Sequence, residues 1–164
     1  MERKILAPGL IEYSNVFPES SDFIMLLEQA NEWAAGEAAP SRYLKKDGSE
    51  MKRDVKTFFL PAVATSNIDK LVLKDWHKKF EAELSKCETD YLDYYVIDTV
   101  QSERSWLQFL KYEPGDSFSN HIDDVPESRR TLSGVYYFND DYCNGELFFK
   151  HLDLTIKPSA NSYF

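Results

Sequence analysis

The stretch Leu107-Gln108-Phe109-Leu110-Lys111-Tyr112-Glu113-Pro114-Gly115-Asp116-Ser117-Phe118-Ser119-Asn120-His121-Ile122-Asp123 reads as a strand, a Pro-Gly turn and a second strand. Short aromatic and aliphatic runs bounded by Pro, Gly and Asp are strand and turn signals. The same pattern continues downstream. Leu132 to Phe138, Leu147 to Phe149 and Leu154 to Ile156 are strand-like runs. Asp123-Asp124-Val125-Pro126, Asn139-Asp140-Asp141 and Asn144-Gly145 punctuate them. Upstream, Tyr94-Tyr95-Val96-Ile97 reads as one more strand. Several short strands at this spacing predict a sandwich or barrel.

The first half reads differently. Ile5 to Phe17 suggests a short strand and a turn, broken by Pro8-Gly9 and Pro18. Ser20-Ser21-Asp22 offers caps to a helix over residues 22–35, with Phe23, Leu26, Leu27, Ala30 and Trp33 at core spacing. Gly36 to Gly48 is a loop, and Val55 to Leu60 a strand stopped by Pro61. A second helix is expected over residues 68–87, with Leu71, Trp76, Phe80 and Leu84 on its apolar side. Helices first and strands second, without βαβ alternation, predict an α+β fold with mainly antiparallel sheet.

Composition narrows the function. The chain has 164 residues, 43% of them hydrophobic and 15% aromatic, which is enough for one well-buried domain. Its net charge is −9, so bulk attraction to nucleic acid or an anionic membrane is not expected. Two cysteines, Cys87 and Cys143, make neither a disulfide framework nor a CxxC metal site. No apolar run approaches the roughly 20 residues that span a bilayer, and no signal peptide is evident. The expectation is a cytoplasmic protein.

The candidate chemistry begins at His121-Ile122-Asp123. On an extended strand, residues i and i+2 project to one face about 7 Å apart. An imidazole and a carboxylate so placed can supply two of the three ligands of a facial Fe(II) triad. Alone this signal is weak, since a chance His-x-Asp is expected in roughly one such chain in four. A second instance, His151-Leu152-Asp153, occurs here. What separates the two is context. Around His121 stand the strand-turn-strand above, then Arg130-Thr131-Leu132-Ser133-Gly134-Val135-Tyr136-Tyr137-Phe138-Asn139, then Asn144-Gly145-Glu146-Leu147-Phe148-Phe149, then Ile156-Lys157-Pro158.

This ordered set resembles the 2-oxoglutarate/Fe(II) dioxygenases of the prolyl 4-hydroxylase-like group, over about residues 105–158. The resemblance implies a double-stranded β-helix, a cupin-like jelly roll with supporting N-terminal helices. It implies a single domain over residues 1–164: a helical support region over 1–90 and an incomplete β-helix core over 91–164. By position, His121 and Asp123 would be iron ligands. Tyr112 and Tyr137 would line the 2-oxoglutarate pocket. Fe(II) and 2-oxoglutarate are the implied cofactors, with ascorbate as an optional reductant. The implied reaction is hydroxylation of a protein, peptide or small-molecule substrate, with peptidyl proline suggested, coupled to decarboxylation of 2-oxoglutarate to succinate. Asn144 stands where the family carries glycine; Asn tolerates positive φ best among the others.

The chain departs from the family after the Lys-Pro turn. It reads Lys157-Pro158-Ser159-Ala160-Asn161-Ser162-Tyr163-Phe164, without the distal His or the Arg/Lys that grips 2-oxoglutarate. His151 precedes the turn and is on the wrong strand to substitute. The expectation is therefore a C-terminally truncated domain, inactive as it stands, lacking its last jelly-roll strands and self-associating through exposed edges. Two alternatives stay open: a non-catalytic peptide- or protein-binding module of the same fold, and an unrelated jelly-roll binder with a chance His-x-Asp.

Overall fold

A computed structural model describes residues 1–30, 34–35, 53–54, 56–59, 70–97, 107–118 and 132–164. In chain order these form β1 (Glu2–Ala7), β2 (Leu10–Ser14), α1 (Ser20–Ala30), β3 (Ala34–Ala35), β4 (Arg53–Asp54), β5 (Lys56–Phe59) and α2 (Lys70–Tyr94). There follow β6 (Gln108–Lys111), β7 (Ser117–Phe118), β8 (Tyr136–Tyr137), β9 (Leu147–Phe149), a 3₁₀ turn (Lys150–Leu152), β10 (Leu154–Ile156) and β11 (Ser162–Tyr163). Every strand pairing among the described residues is antiparallel. No helix among them is long and apolar enough to cross a membrane.

The largest sheet has the order β1-β2-β11-β8. Its register sets Tyr163 opposite both Tyr13 and Tyr136, and Ser162 opposite Ser14 and Tyr137. Side chains alternate across a sheet, so three tyrosines from three strands share one face. The helices cover that face. The Tyr13 hydroxyl donates to Asp90 Oδ2 of α2 at 2.9 Å, and Tyr163 donates to Glu88 Oε1 at 3.0 Å. The Tyr136 hydroxyl bonds Ser20 Oγ of α1 at 2.9 Å and donates to Asn161 Oδ1 at 2.8 Å.

Beneath lies an aromatic core. Leu73, Trp76, Phe80, Leu84 and Cys87 repeat at three- and four-residue steps on α2, which is one helical stripe. Phe23 is fully buried on α1, its ring 5.4–6.0 Å from those of Phe17, Trp76, Phe80, Phe109 and Phe138. Edge-to-face and offset geometries predominate there, as aromatic quadrupoles favour.

Asn161 ties the layers together. It adopts φ 58, a left-handed conformation. Its side-chain oxygen accepts the Phe17 N–H at 2.7 Å as well as the Tyr136 hydroxyl. Its backbone N–H donates to the Tyr137 carbonyl at 2.8 Å, and its carbonyl accepts the Val16 N–H at 3.4 Å. One residue thus joins the β2–α1 connection to β8.

Three elements differ from the sequence expectation. First, β1 and β2 precede both helices and share a sheet with β8 and β11, so a helical 1–90 and a stranded 91–164 do not separate in space. Second, α1 stops at Ala30, and Ala34–Ala35 pair with β5 as a strand rather than ending a helix. Third, Tyr94-Tyr95-Val96-Ile97 is not a strand. The α2 stripe continues through Tyr91, and the end of this helix clamps the β1–β2 turn. Gly9 N–H donates to the Tyr95 hydroxyl at 2.8 Å, and the Tyr91 hydroxyl donates to the Gly9 carbonyl at 3.1 Å. Of the expected run 132–138, only Tyr136–Tyr137 is a strand, although Val135 and Phe164 exchange both backbone hydrogen bonds at 3.0 Å.

Helix α2 ends in a Schellman arrangement. Ile97 N–H bonds the Leu92 carbonyl at 3.0 Å and Val96 N–H bonds Asp93 at 3.2 Å. The left-handed position is held by Val96, at φ 52, where glycine is the usual occupant. A β-branched residue is strained there, and Val96 is 81% exposed, so its side chain gains little from packing. Val96→Gly should stabilise the fold by about 1 kcal/mol, read as a higher urea midpoint. A close approach occurs at Gly134, where an added Cβ would collide with the ring and hydroxyl of Tyr163. Gly134→Ala should lower stability by about 2 kcal/mol in the same measurement.

Candidate functional site

The sheet face opposite the helices carries Tyr137 of β8, which lies beside Phe164 with ring centroids 5.8 Å apart and nearly perpendicular. Tyr112, just past β6, and Tyr142, in the segment after β8, are its phenolic neighbours. They are close enough that each disfavours ionisation of Tyr137. Burial is the larger cause, and together these effects hold the Tyr137 phenol well above its ordinary range. Tyr142 is also raised, first by burial and then by Asp140 and Glu146. Both phenols are therefore neutral hydrogen-bond donors at neutral pH.

Local backbone places Tyr142. Asn144 and Gly145 are both left-handed, at φ 63 and 77, so the chain turns tightly beneath the ring. A Cβ at Gly145 would meet that ring at 3.3 Å. The Lys157 ammonium lies 5.9 Å from its centroid, within cation–π reach. The Tyr142 hydroxyl is buried and makes no hydrogen bond. Among the described residues the Tyr137 hydroxyl makes none either. Buried polar groups in folded proteins are nearly always paired, so the unspent Tyr142 donor fits an acceptor supplied from outside the chain.

The structure thus brings Tyr112 and Tyr137 near one another and adds Tyr142 and Lys157, which sequence reasoning missed. The available signal was an aromatic set inside the polar turn Asn139-Asp140-Asp141-Tyr142-Cys143-Asn144-Gly145. His121 and Asp123 lie outside the described residues, as does Asp124. Among the described residues no three His, Cys, Asp or Glu side chains gather as a metal site. The other His-x-Asp lies in the 3₁₀ turn and its cap, with His151 exposed and Asp153 at φ 47, which is not the extended geometry that would converge two ligands. Asp140 and Asp141 are exposed, and Asp141 accepts a hydrogen bond from Asn139 Nδ2.

Buried phenols and a buried thiol link stability to alkaline pH. Burial foremost raises Tyr13, Tyr136 and Tyr137 from 10.0, with Tyr136 pushed up to about 12, and Cys87 from 9.0 to about 12. Because the folded values exceed the unfolded ones, the unfolded chain loses these protons first as pH rises. Their stabilising contribution is complete below pH 9 and is lost between pH 9 and 12. Each group costs up to about 1.4 kcal/mol per pH unit in that window. Urea midpoints measured from pH 7 to 11 should fall steadily above pH 9.

Comparison with known proteins found no match: no family model, no curated protein and no solved structure aligns with this chain.

Proposed function

We propose that this chain is a domain of the Fe(II)- and 2-oxoglutarate-dependent dioxygenase kind, prolyl 4-hydroxylase-like and built on a double-stranded β-helix, which supplies two of the three iron ligands and is itself inactive, the complete domain hydroxylating a substrate such as peptidyl proline. The observation that carries the reading is the buried Tyr142 hydroxyl, which has no hydrogen-bond partner and lies near Tyr137. Tyr137 is a residue that the motif order assigns to 2-oxoglutarate. Support also comes from donor chemistry. His121 and Asp123 offer an imidazole and a carboxylate, a set suited to divalent iron with open positions.

In this reading His121 and Asp123 would supply two of the three iron ligands. Tyr137 would donate to a carboxylate of 2-oxoglutarate, and Tyr112, 49% exposed, would lie at the edge of the site. The chemistry these groups supply when bound is oxygen insertion into a substrate C–H bond, coupled to decarboxylation of 2-oxoglutarate to succinate. The contribution of the chain is placement. The sheet fixes Tyr137 through the Asn161 N–H on its carbonyl, and the ring of Phe164 packs perpendicular to the Tyr137 ring.

Thermal unfolding with Mn(II), an oxygen-stable substitute for Fe(II), tests this reading. Mn(II) with 2-oxoglutarate should raise Tm, by the equivalent of about 2.7 kcal/mol at 100 times Kd, and His121→Ala should abolish the rise. No rise, or an equal rise in His121→Ala, would overturn the metal assignment. Binding without succinate formation by the complete domain, in the presence of Fe(II) and oxygen, would instead indicate a binding module.

A further inference from the structure

We propose that the outer face of α2 pairs with the same face of a second copy of this chain, the two helices running antiparallel about a two-fold axis near Ala82. The charges along this helix point to it. The N-terminal half carries Lys70, Lys74, Lys78 and Lys79 against one carboxylate, Asp75. The C-terminal half carries Glu81, Glu83, Glu88, Asp90 and Asp93 against one lysine, Lys86. No acidic residue stands in the first turn and no basic residue in the last. A helix macrodipole is positive at its N-terminus and negative at its C-terminus, so this order adds to the dipole at both ends and disfavours a solitary helix. A second α2 laid antiparallel sets each basic half against an acidic half and offsets both dipoles.

The exposed face has the shape for such a contact. Lys74, Lys78, Ala82, Ser85, Thr89 and Asp93 recur at three- and four-residue steps, all exposed, on the side opposite the buried Leu73, Phe80, Leu84 and Cys87. The row runs back to Leu71, which is 69% exposed. At the other end, Ser85, Lys86, Thr89, Asp90 and Asp93 line a shallow groove. With the axis near Ala82, Leu71 of one copy lies over this groove in the other, and Lys74 and Lys78 face its acidic rim. The short side chain of Ala82 lets the two helices approach closely at the axis. A two-fold contact needs a surface complementary to itself, and a face with opposite charges in its two halves is one. A partner of single charge sign would meet repulsion along half of it.

Helix α2 has 25 residues, so the contact runs for about 37 Å. One helix face of that length falls short of the roughly 800 Å² per partner of a standard interface, which puts the association in the micromolar range. Tyr137 lies on the sheet face away from the helices, so the pairing leaves the candidate site of each copy open.

Sedimentation velocity from about 1 to 300 μM tests this, and the wild-type chain should pass from monomer to dimer within that range. Lys74→Glu/Lys78→Glu and Asp93→Lys should each weaken self-association roughly tenfold or more. An equimolar mixture of these two variants should dimerise again, because glutamates of one copy then face lysines of the other at both ends of the contact. The substituted positions are exposed, and circular dichroism establishes that each variant is folded. Asp90 is left intact because it holds Arg3 and the Tyr13 hydroxyl. A wild-type chain that stays monomeric throughout would overturn the proposal. A dimer that neither variant weakens would overturn it as well and place the contact elsewhere, for example at a sheet edge. Variants that lose the dimer and fail to regain it on mixing would overturn the antiparallel pairing.

Discussion

The side chain of Tyr163 is the crosspiece of this molecule. Its strand lies between β2 and β8, so two strands that are remote in sequence are joined through it in one sheet. Its hydroxyl reaches across to Glu88, its ring covers Gly134, and its register fixes Tyr13 and Tyr136 on the same face. Everything on the opposite face inherits this register. A slip by one residue would exchange the two faces, sending Tyr137 into the helices and Tyr136 to the opposite face. The hydrogen bonds of Asn161 to Phe17, Tyr136 and Tyr137 oppose such a slip directly.

Much of the local structure was legible from the residues. The apolar spacing of α2 marked Trp76, Phe80 and Leu84, although Leu71, expected beside them, is 69% exposed and Leu73 is buried instead; Pro114-Gly115 marked a turn, where Asp116 N–H bonds the Glu113 carbonyl at 2.9 Å. The end of α2 was not legible. Tyr94, Tyr95, Val96 and Ile97 have high strand propensity, and only the distant Gly9 turn, clamped by Tyr91 and Tyr95, explains why the helix carries on. Nor could the pairing of β2 with β11 be seen. Alternation along a strand says which residues share a face, not which strand lies alongside.

The candidate site divides in the same way. Tyr112 and Tyr137 stood out because they occupy positions in an ordered set of motifs. Tyr142 did not, because its distinguishing property is a hydroxyl left without a partner by packing, and packing is not written in any local pattern. Lys157 is similar: the sequence shows a Lys-Pro turn, but not the ring the ammonium faces. Residues that act through a backbone junction, as Asn161 does, are also hidden until the chain closes.

The central position of β11 also bears on how the chain comes to be folded. Leu10–Ser14 leaves the ribosome long before Ser162–Tyr163 exists to pair with it. At roughly 5–20 residues per second, the delay is on the order of ten to thirty seconds. Throughout that time β2 has β1 on one side and an unpaired edge on the other, carrying Ile11 and Tyr13, both destined for the core. The nascent hairpin is thus an open β-sheet edge for most of synthesis, and a natural place for a chaperone to hold.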